Sequence, residues 1–385
     1  MRHFGQLPSA VRQELFFADP RPFHAHSDPA VLAQALGATL YVPAIRDDLA
    51  GTIRRRARGG VRSMVIDLED SVPDERVEEG LVLARDALAD LHADPPEALL
   101  FVRVRTPEMV VTLLEKLDAT AGVLTGLVLP KFSYQRGEQY LDAMVRTADD
   151  ARPPLLIMPV LETPEVLYAE TRAAELQAIR TLLARHRDRV LAVRIGATDL
   201  CGLYGIRRDR DLTVYDVGIA ALFIADVVNH LGRSDGTGYP ITGPVWEYFA
   251  GHERMFRPQL RQTPFEDRDA ERLRADLLLR DMDGLLREIV LDRVNGLTGK
   301  TVIHPSHVDV VHALSVVPHE EFVDAQDVLG AVSGGARSSE FRNKMNESRP
   351  HRVWAQRIAL RAEVFGVSRP SISHVDILSA LWTQP

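Results

Sequence analysis

Short apolar runs recur along the chain, each ending in a polar turn and followed by a stretch with helical spacing. The runs end near Pro43 ("TLYVP"), Asp67 ("SMVID"), Val104 ("LLFVRV"), Pro130 ("GLVLP"), Val160 ("LLIMPV"), Ile195 ("VLAVRI"), Thr242 ("YPIT") and Ile303 ("KTVI"). The first six lie roughly 24 to 37 residues apart, about one strand–helix unit each. Between two of them, Val77, Leu81, Ala84, Leu88 and Leu91 step by four, three, four and three, the spacing of one helix face. Continuously apolar strands alternating with helices predict a parallel sheet covered on both faces. Eight such units over residues 39–304 match the ~250 residues of a (β/α)8 TIM barrel, an α/β fold. A doubly wound open sheet is the competing architecture. The predicted organisation is an N-terminal extension at 1–38, a barrel catalytic domain at 39–317 and an α-helical C-terminal segment at 318–385, acting as lid or oligomerisation element. Residues 250–298 exceed one helix and imply an insertion, and the Gly/Ser loop 333–341 reads as a hinge.

Composition narrows the class. The 385 residues are 45% hydrophobic and 26% charged, enough for a sizeable core, and the net charge of −8 comes from signs mixed along the chain. No basic footprint exists for nucleic acid. Cys201 is the single cysteine, which excludes an internal disulfide and a cysteine zinc site and suggests a reducing compartment. No apolar run approaches the ~18 residues of a membrane span, and "MRHFGQLPSAVRQELFF" lacks the apolar core of a signal peptide. A cytoplasmic protein without nucleic-acid or membrane partners is expected.

Polar residues gather where the strands end. Arg46 follows the first strand, Glu69 and Asp70 the second, and Arg103 and Arg105 close the third. Lys131 ends the fourth, Glu162 follows the fifth, Asp199 lies after the sixth and His304 after the eighth. In a parallel barrel these ends form one rim, where active sites of the fold are built. Glu162 and Asp199 can meet around one cation, and two carboxylates with waters and a chelating substrate suit Mg²⁺; helix caps or surface ion pairs are the alternative. Arg103 is unusual in a central strand and suits a substrate carboxylate as a two-pronged donor, or else pairs with Asp67 or Glu69. Lys131 is either a site lysine or an extended surface one. "RIGATDLCGLYG" holds glycines whose turn can cradle an anion. Cys201 beside Asp199 reads as packing, His304 as core or catalytic, and "TIRRRARGG" as a solvated helix face or a phosphate contact.

Taken in order, "TLYVPAIRDD", "VIDLEDSVPDER", "LFVRVR", "LVLPKF", "MPVLETPEVL", "RIGATDLCGLYG" and "GLTGKTVIHPSHVDVVHAL" resemble the citrate lyase β-subunit-like and malyl-CoA lyase-type aldolases. These belong to the phosphoenolpyruvate/pyruvate-type TIM-barrel superfamily, and the resemblance covers roughly residues 39–315. It implies that Glu162 and Asp199 bind Mg²⁺, that Arg103 clamps the carboxylate of an oxo acid, and that the amides of Gly196, Ala197 and Thr198 support it. Arg46 would lie near the substrate. Glu69 and Asp70 would face water on the metal and poise the proton transfer, with Asp67 the structural member of the three acids. Lys131 and Arg76 would add positive charge. The implied reaction is aldol- or Claisen-type cleavage or condensation of a 2-oxo or hydroxy acid, possible also as its CoA thioester, in a homo-oligomer whose tail closes over a neighbouring subunit.

The chain departs from the family in places. It reads "PAIR" where the family has P-G-x-R, "RVR" where it favours "RVN", and "FRNKM" where the tail often has D-G-K-M. Arg105 thus points to a more anionic or different substrate, and the acidic group of the tail is missing. Two alternatives follow: the same metal–enolate site used for thioester hydrolysis or for a biosynthetic condensation with a non-CoA substrate, or a catalytically inactive binding barrel.

Overall fold

The computed structural model describes residues 1–117, 122–148, 154–249, 282–331 and 335–383. Its centre is a closed barrel of eight parallel strands in sequential order. They are β1 Ala38–Pro43, β2 Ser63–Asp67, β3 Leu99–Arg103, β4 Gly126–Leu129, β5 Leu156–Leu161, β6 Val193–Ile195, β7 Ile241–Gly243 and β8 Leu297–Val302. Each predicted run is one of them. Closure is made by β1 against β8, where Ala38, Thr39 and Leu40 pair with Lys300, Thr301 and Val302. An open doubly wound sheet is therefore excluded. The strand segments SMVID and LLFVR are buried almost throughout, as sequences apolar on both faces must be.

Helices cover the outside. Val77–Ala93 buries Leu81, Ala84, Leu88 and Leu91 in the expected stripe, together with Gly80 and Ala87. Asp48 starts Leu49–Arg58 by accepting the Gly51 N–H, and Ser133 starts Tyr134–Arg146 by accepting the Arg136 N–H. Among the described residues no helix is long and apolar enough to cross a membrane.

The segment before the barrel is folded rather than irregular. It holds helices Ser9–Leu15 and Pro29–Ala35, and its strand Phe16–Ala18 pairs antiparallel with Val367–Ser368. The chain after β8 is mainly helical, with Ser306–Ser315, His319–Gly330, Arg352–Phe365 and His374–Trp382. Val317, Ala325, Val328, Ala355, Ile358, Ala362 and Val367 form a small apolar cluster of their own, whereas Val375, Ile377, Leu378 and Leu381 join the main core. Within the predicted hinge, Ala336–Ser338 is a strand paired with Met345–Glu347. Residues 333–334 of that loop, and 250–281 of the predicted insertion, lie outside the described residues.

Two neutral histidines are packed where these end segments meet. His3 donates Nε2–H to the Ala35 carbonyl at 3.0 Å and stacks on Phe365 at 4.3 Å. His312 accepts the Ala38 N–H at Nε2 and meets His3 edge-on at 4.6 Å. Burial drives the His312 pKa down to about 3, and burial with the His312 neighbour lowers that of His3. Below pH ~6.5 the unfolded chain takes up protons that the folded chain refuses, so stability falls on acidification by up to about 1.4 kcal/mol per pH unit for each histidine. Urea unfolding at pH 7.5, 6.0 and 5.0 checks this. His312→Gln, which keeps an acceptor, should flatten the slope by about one proton; an unchanged slope would contradict the assignment.

Candidate active site

Asp67 and Arg103 are register partners on adjacent strands, which brings their side chains together. Arg103 donates Nε–H to Asp67 Oδ1 at 2.6 Å and Nη2–H to Oδ2 at 2.7 Å. Its Nη1 reaches Asp70 Oδ2 at 3.1 Å and lies 2.7 Å from Glu69 Oε2, the latter an ion pair out of line for a hydrogen bond. Asp67 also accepts the N–H groups of Glu69 and Ser71, closing the turn after β2. Burial alone would raise the Asp67 pKa, but the Arg103 fork outweighs it and holds the carboxylate below its ordinary range. Of the three acids in "DLED", Asp67 is the one that takes the Arg103 fork, and it also lines the cavity at the strand ends.

Lys131 joins the two halves of the site. It adopts a left-handed backbone, with φ 49°, uncommon for a side chain of this kind. The turn aims its N–H at Glu162 Oε1 at 2.8 Å while Nζ donates to Glu69 Oε1 at 2.6 Å. Nζ also lies 3.6 Å from Asp70 and 3.8 Å from Asp199. Burial opposes its charge, yet Glu69 and the other carboxylates keep the ammonium pKa above its usual value. The Glu69 pKa is raised, chiefly by burial, against Arg103 and Lys131.

Glu162 follows β5 and is only 4% exposed. Burial and then the Asp199 charge push its pKa up to about 8. Gly196 makes room for it: a Cβ there would lie 1.9 Å from Glu162 Oε2. Asp199 lies in the short helix Ala197–Leu203 that follows Gly196. A buried carboxylate beside the half-buried Asp199, an all-oxygen donor set open to water on one side, fits a hard cation such as Mg²⁺, which keeps several waters of its own. No larger cluster of His, Cys, Asp and Glu suited to a metal exists among the described residues.

These groups surround a cavity of about 600 Å³ at the C-terminal ends of the strands. Asp70, Arg103, Glu162, Gly196, Ala197, Thr198 and Asp199 line it. Glu69 and Lys131 are bonded to that lining. Arg46 and Arg105 do not reach it. β3 ends at Arg103, so Arg105 leaves the strand's alternation and turns outward, donating to the Glu69 and Val72 carbonyls and pairing with Asp74. Arg46 is exposed and absent from the lining. Arg76 is exposed and paired with Glu79. On the "RRR" helix, Arg54 pairs with Asp90 and Asp94, and Arg55 with Asp48, so these two belong to a surface face. Cys201 is buried, and burial raises its pKa. His304 stacks on Phe249 at 4.7 Å and is not part of the lining.

Tyr41, Arg194, Glu247 and Thr301 line the cavity and were not anticipated. Arg194 carried the signal that singled out Arg103, an arginine inside an apolar strand, but "RIGATD" was read for its glycines. Glu247, which accepts the Thr198 hydroxyl at 2.6 Å, follows β7 in "PVWEYFA" and had no such signal.

Comparison with known proteins sets this geometry in context. The sequence profile of a family described as C–C bond lyase of the TIM-barrel fold matches residues 30–367. A citrate lyase from Burkholderia xenovorans LB400 superimposes with a TM-score of 0.60 at 15% identity, covering 90% of this chain and 96% of that one. CitE from Mycobacterium tuberculosis, in complex with magnesium, acetoacetate and coenzyme A, gives 0.52 at 21% identity, covering 85% and 97%. Malate synthase from Haloferax volcanii gives 0.51 at 12% identity, covering 76% and 75%. At such identities the likeness speaks for the fold. Comparison with curated proteins finds no match.

Proposed function

The chain belongs to the C–C bond lyases of the TIM-barrel fold, and from that premise we propose that it cleaves or forms a carbon–carbon bond beside the carbonyl of a small 2-oxo or hydroxy acid, with Mg²⁺ held by Glu162 and Asp199. The observation that carries the reading is the pairing of buried Glu162 with Asp199 on successive strand ends, beside a guanidinium and an ammonium, in a cavity of about 600 Å³. A cavity of that size takes a small acid with room for a second group. When bound there, Mg²⁺ supplies Lewis acidity at the substrate carbonyl.

The remaining work falls to the protein's own residues. Asp70, its side chain 55% exposed beside the cavity and 3.1 Å from Arg103, is placed to accept the hydroxyl proton of a β-hydroxy acid. As that proton leaves, the hydroxyl oxygen becomes a carbonyl, the C–C bond breaks and its electron pair passes into an enolate, which takes up a proton to complete the cleavage. Positive charge from Arg103 and Lys131 faces the developing oxyanion, and because both are held by carboxylates little reorganisation is needed at the moment of reaction. Condensation is the same sequence reversed. CoA, present in the mycobacterial CitE structure, is one way for the acid to be presented, as a thioester.

The test is product analysis. The protein is incubated with oxaloacetate, 2-oxo acids plus acetyl-CoA, and β-hydroxyacyl thioesters, and the products are followed by NMR. Mg²⁺-dependent C–C cleavage or formation, abolished by EDTA and restored by Mg²⁺, is the expected result. Turnover unaffected by EDTA, or no C–C chemistry with any acid or thioester, would sink the reading.

A further inference from the structure

The two arginines in the cavity are held very differently. Arg103 is surrounded by acids: Asp67 takes its fork and Asp70 and Glu69 its remaining arm. Arg194, within β6, is 1% exposed, and no carboxylate lies within ion-pair distance of it among the described residues. Its Nη2 donates to Thr301 Oγ1 at 2.6 Å, its Nη1 reaches only the Met158 sulfur at 3.4 Å, and its Nε has no hydrogen-bond partner. The Tyr41 ring, 5.6 Å from its Cζ, offers an aromatic face, but Arg103 occupies the same ring at 5.1 Å.

Buried charges are as a rule paired, because burial strips away hydration that only a counter-charge or full hydrogen bonding replaces. A buried arginine left with a hydroxyl, a thioether and a shared ring is therefore a cation awaiting an anion. The cavity is the route by which that anion arrives, since Arg194 lines it. The strand places Arg194 ahead of Gly196 and Asp199 in the chain, on the barrel side of the cavity, while Glu162 and Asp199 follow their strands.

We propose that Arg194 is the carboxylate receptor of this cavity, binding the acid group of the substrate, and that Arg103 positions the acids around it rather than clamping substrate. The substrate then enters carboxylate first, which turns its carbonyl toward the Glu162 and Asp199 end. A guanidinium matches a carboxylate two-pronged where an ammonium cannot, so the assignment also selects free acids over their amides and esters. It rests on reading the cavity as the site of an oxo or hydroxy acid, but not on any turnover.

Calorimetric titration with oxalate tests it, with Mg²⁺ present and again in EDTA. Arg194→Met should weaken oxalate at least ~30-fold relative to the parent, the loss usual when one partner of a buried charge pair is truncated. Arg194→Lys should fall between the two. Without ligand, Arg194→Met should melt at or above the parent temperature, because an unbalanced buried charge has been removed. Oxalate bound equally well by Arg194→Met, a parent that binds none in either buffer, or a variant that unfolds well below the parent would each overturn the assignment. Because no turnover is measured, an Arg194-dependent affinity in a protein that cleaves no acid would retire the lyase reading and leave the receptor in place.

Discussion

Glu162→Gln should lower turnover at least ~10³-fold while leaving the fold intact, equivalent to about 4 kcal/mol of lost transition-state stabilisation. The amide keeps the volume and can still accept the Lys131 N–H now bonded at 2.8 Å, but it removes one of two anionic oxygen donors. Mg²⁺ affinity, read by titration calorimetry, should fall with activity, and Asp199→Asn should behave the same way. Melting temperature gives the counterpart measurement. Burial and Asp199 already disfavour the charge on Glu162, so the neutral variant should melt no lower than the parent in the absence of metal. A variant with parental Mg²⁺ affinity and turnover would remove Glu162 from the site altogether.

The largest effect on stability belongs to Lys300→Met. Lys300 is buried in β8, with Nζ 2.9 Å from Glu288 and 2.7 Å from Asp292, both on helix Asp283–Val294 and both buried. Glu288 is further held by Arg208 at 2.6 Å and by the Val214 N–H at 2.6 Å, and Asp292 accepts the Tyr215 hydroxyl at 2.8 Å. Burial, with Glu288 alongside, already pushes the Asp292 pKa up to about 6 despite Lys300. Without the ammonium, two buried carboxylates would share one guanidinium. Breaking such a cluster from one side costs about 3–5 kcal/mol, a drop in melting temperature of roughly 5–10 °C. Adding Asp292→Asn to Lys300→Met should recover much of that loss, since Glu288 keeps Arg208 and the one carboxylate left without a cation is neutralised. If the double variant is no more stable than the single one, the loss comes from packing and not from charge.

The strands were legible because their signal is local: a run such as "LLFVRV" is too apolar and too β-branched for a solvated segment. Closure was not local, since a βα repeat describes the rolled and the open sheet alike until β1 meets β8. The rim acids were legible for the related reason that a polar residue directly after an apolar strand stands out. Inside the strands the pattern fails. A parallel barrel buries both faces, so period-two alternation no longer separates inward from outward and Tyr41 looks like its neighbours, whereas Arg194 stands out from Val193 and Ile195 without a sign of which face it takes. Arg105 was misjudged as a lining residue through one step of strand length, because nothing in "FVRVR" tells that the ladder stops at Arg103. The Lys300 cluster was hidden altogether. Glu288 and Asp292, four apart on a helix, read as an ordinary wet face, and charged residues are buried only when partners from distant elements arrive.

The Asp67–Arg103 pair has a consequence for assembly as well. The two residues meet only when β2 and β3 pair in the observed alignment, Asp67 opposite Arg103. Slippage by one position would turn the side chains to opposite faces and strand two charges in the interior, each costing several kcal/mol. The charge pair thus acts as a proofreading device for the growing barrel, rejecting misaligned strands that hydrophobic burial, indifferent to a slip between Val, Ile and Leu, would accept.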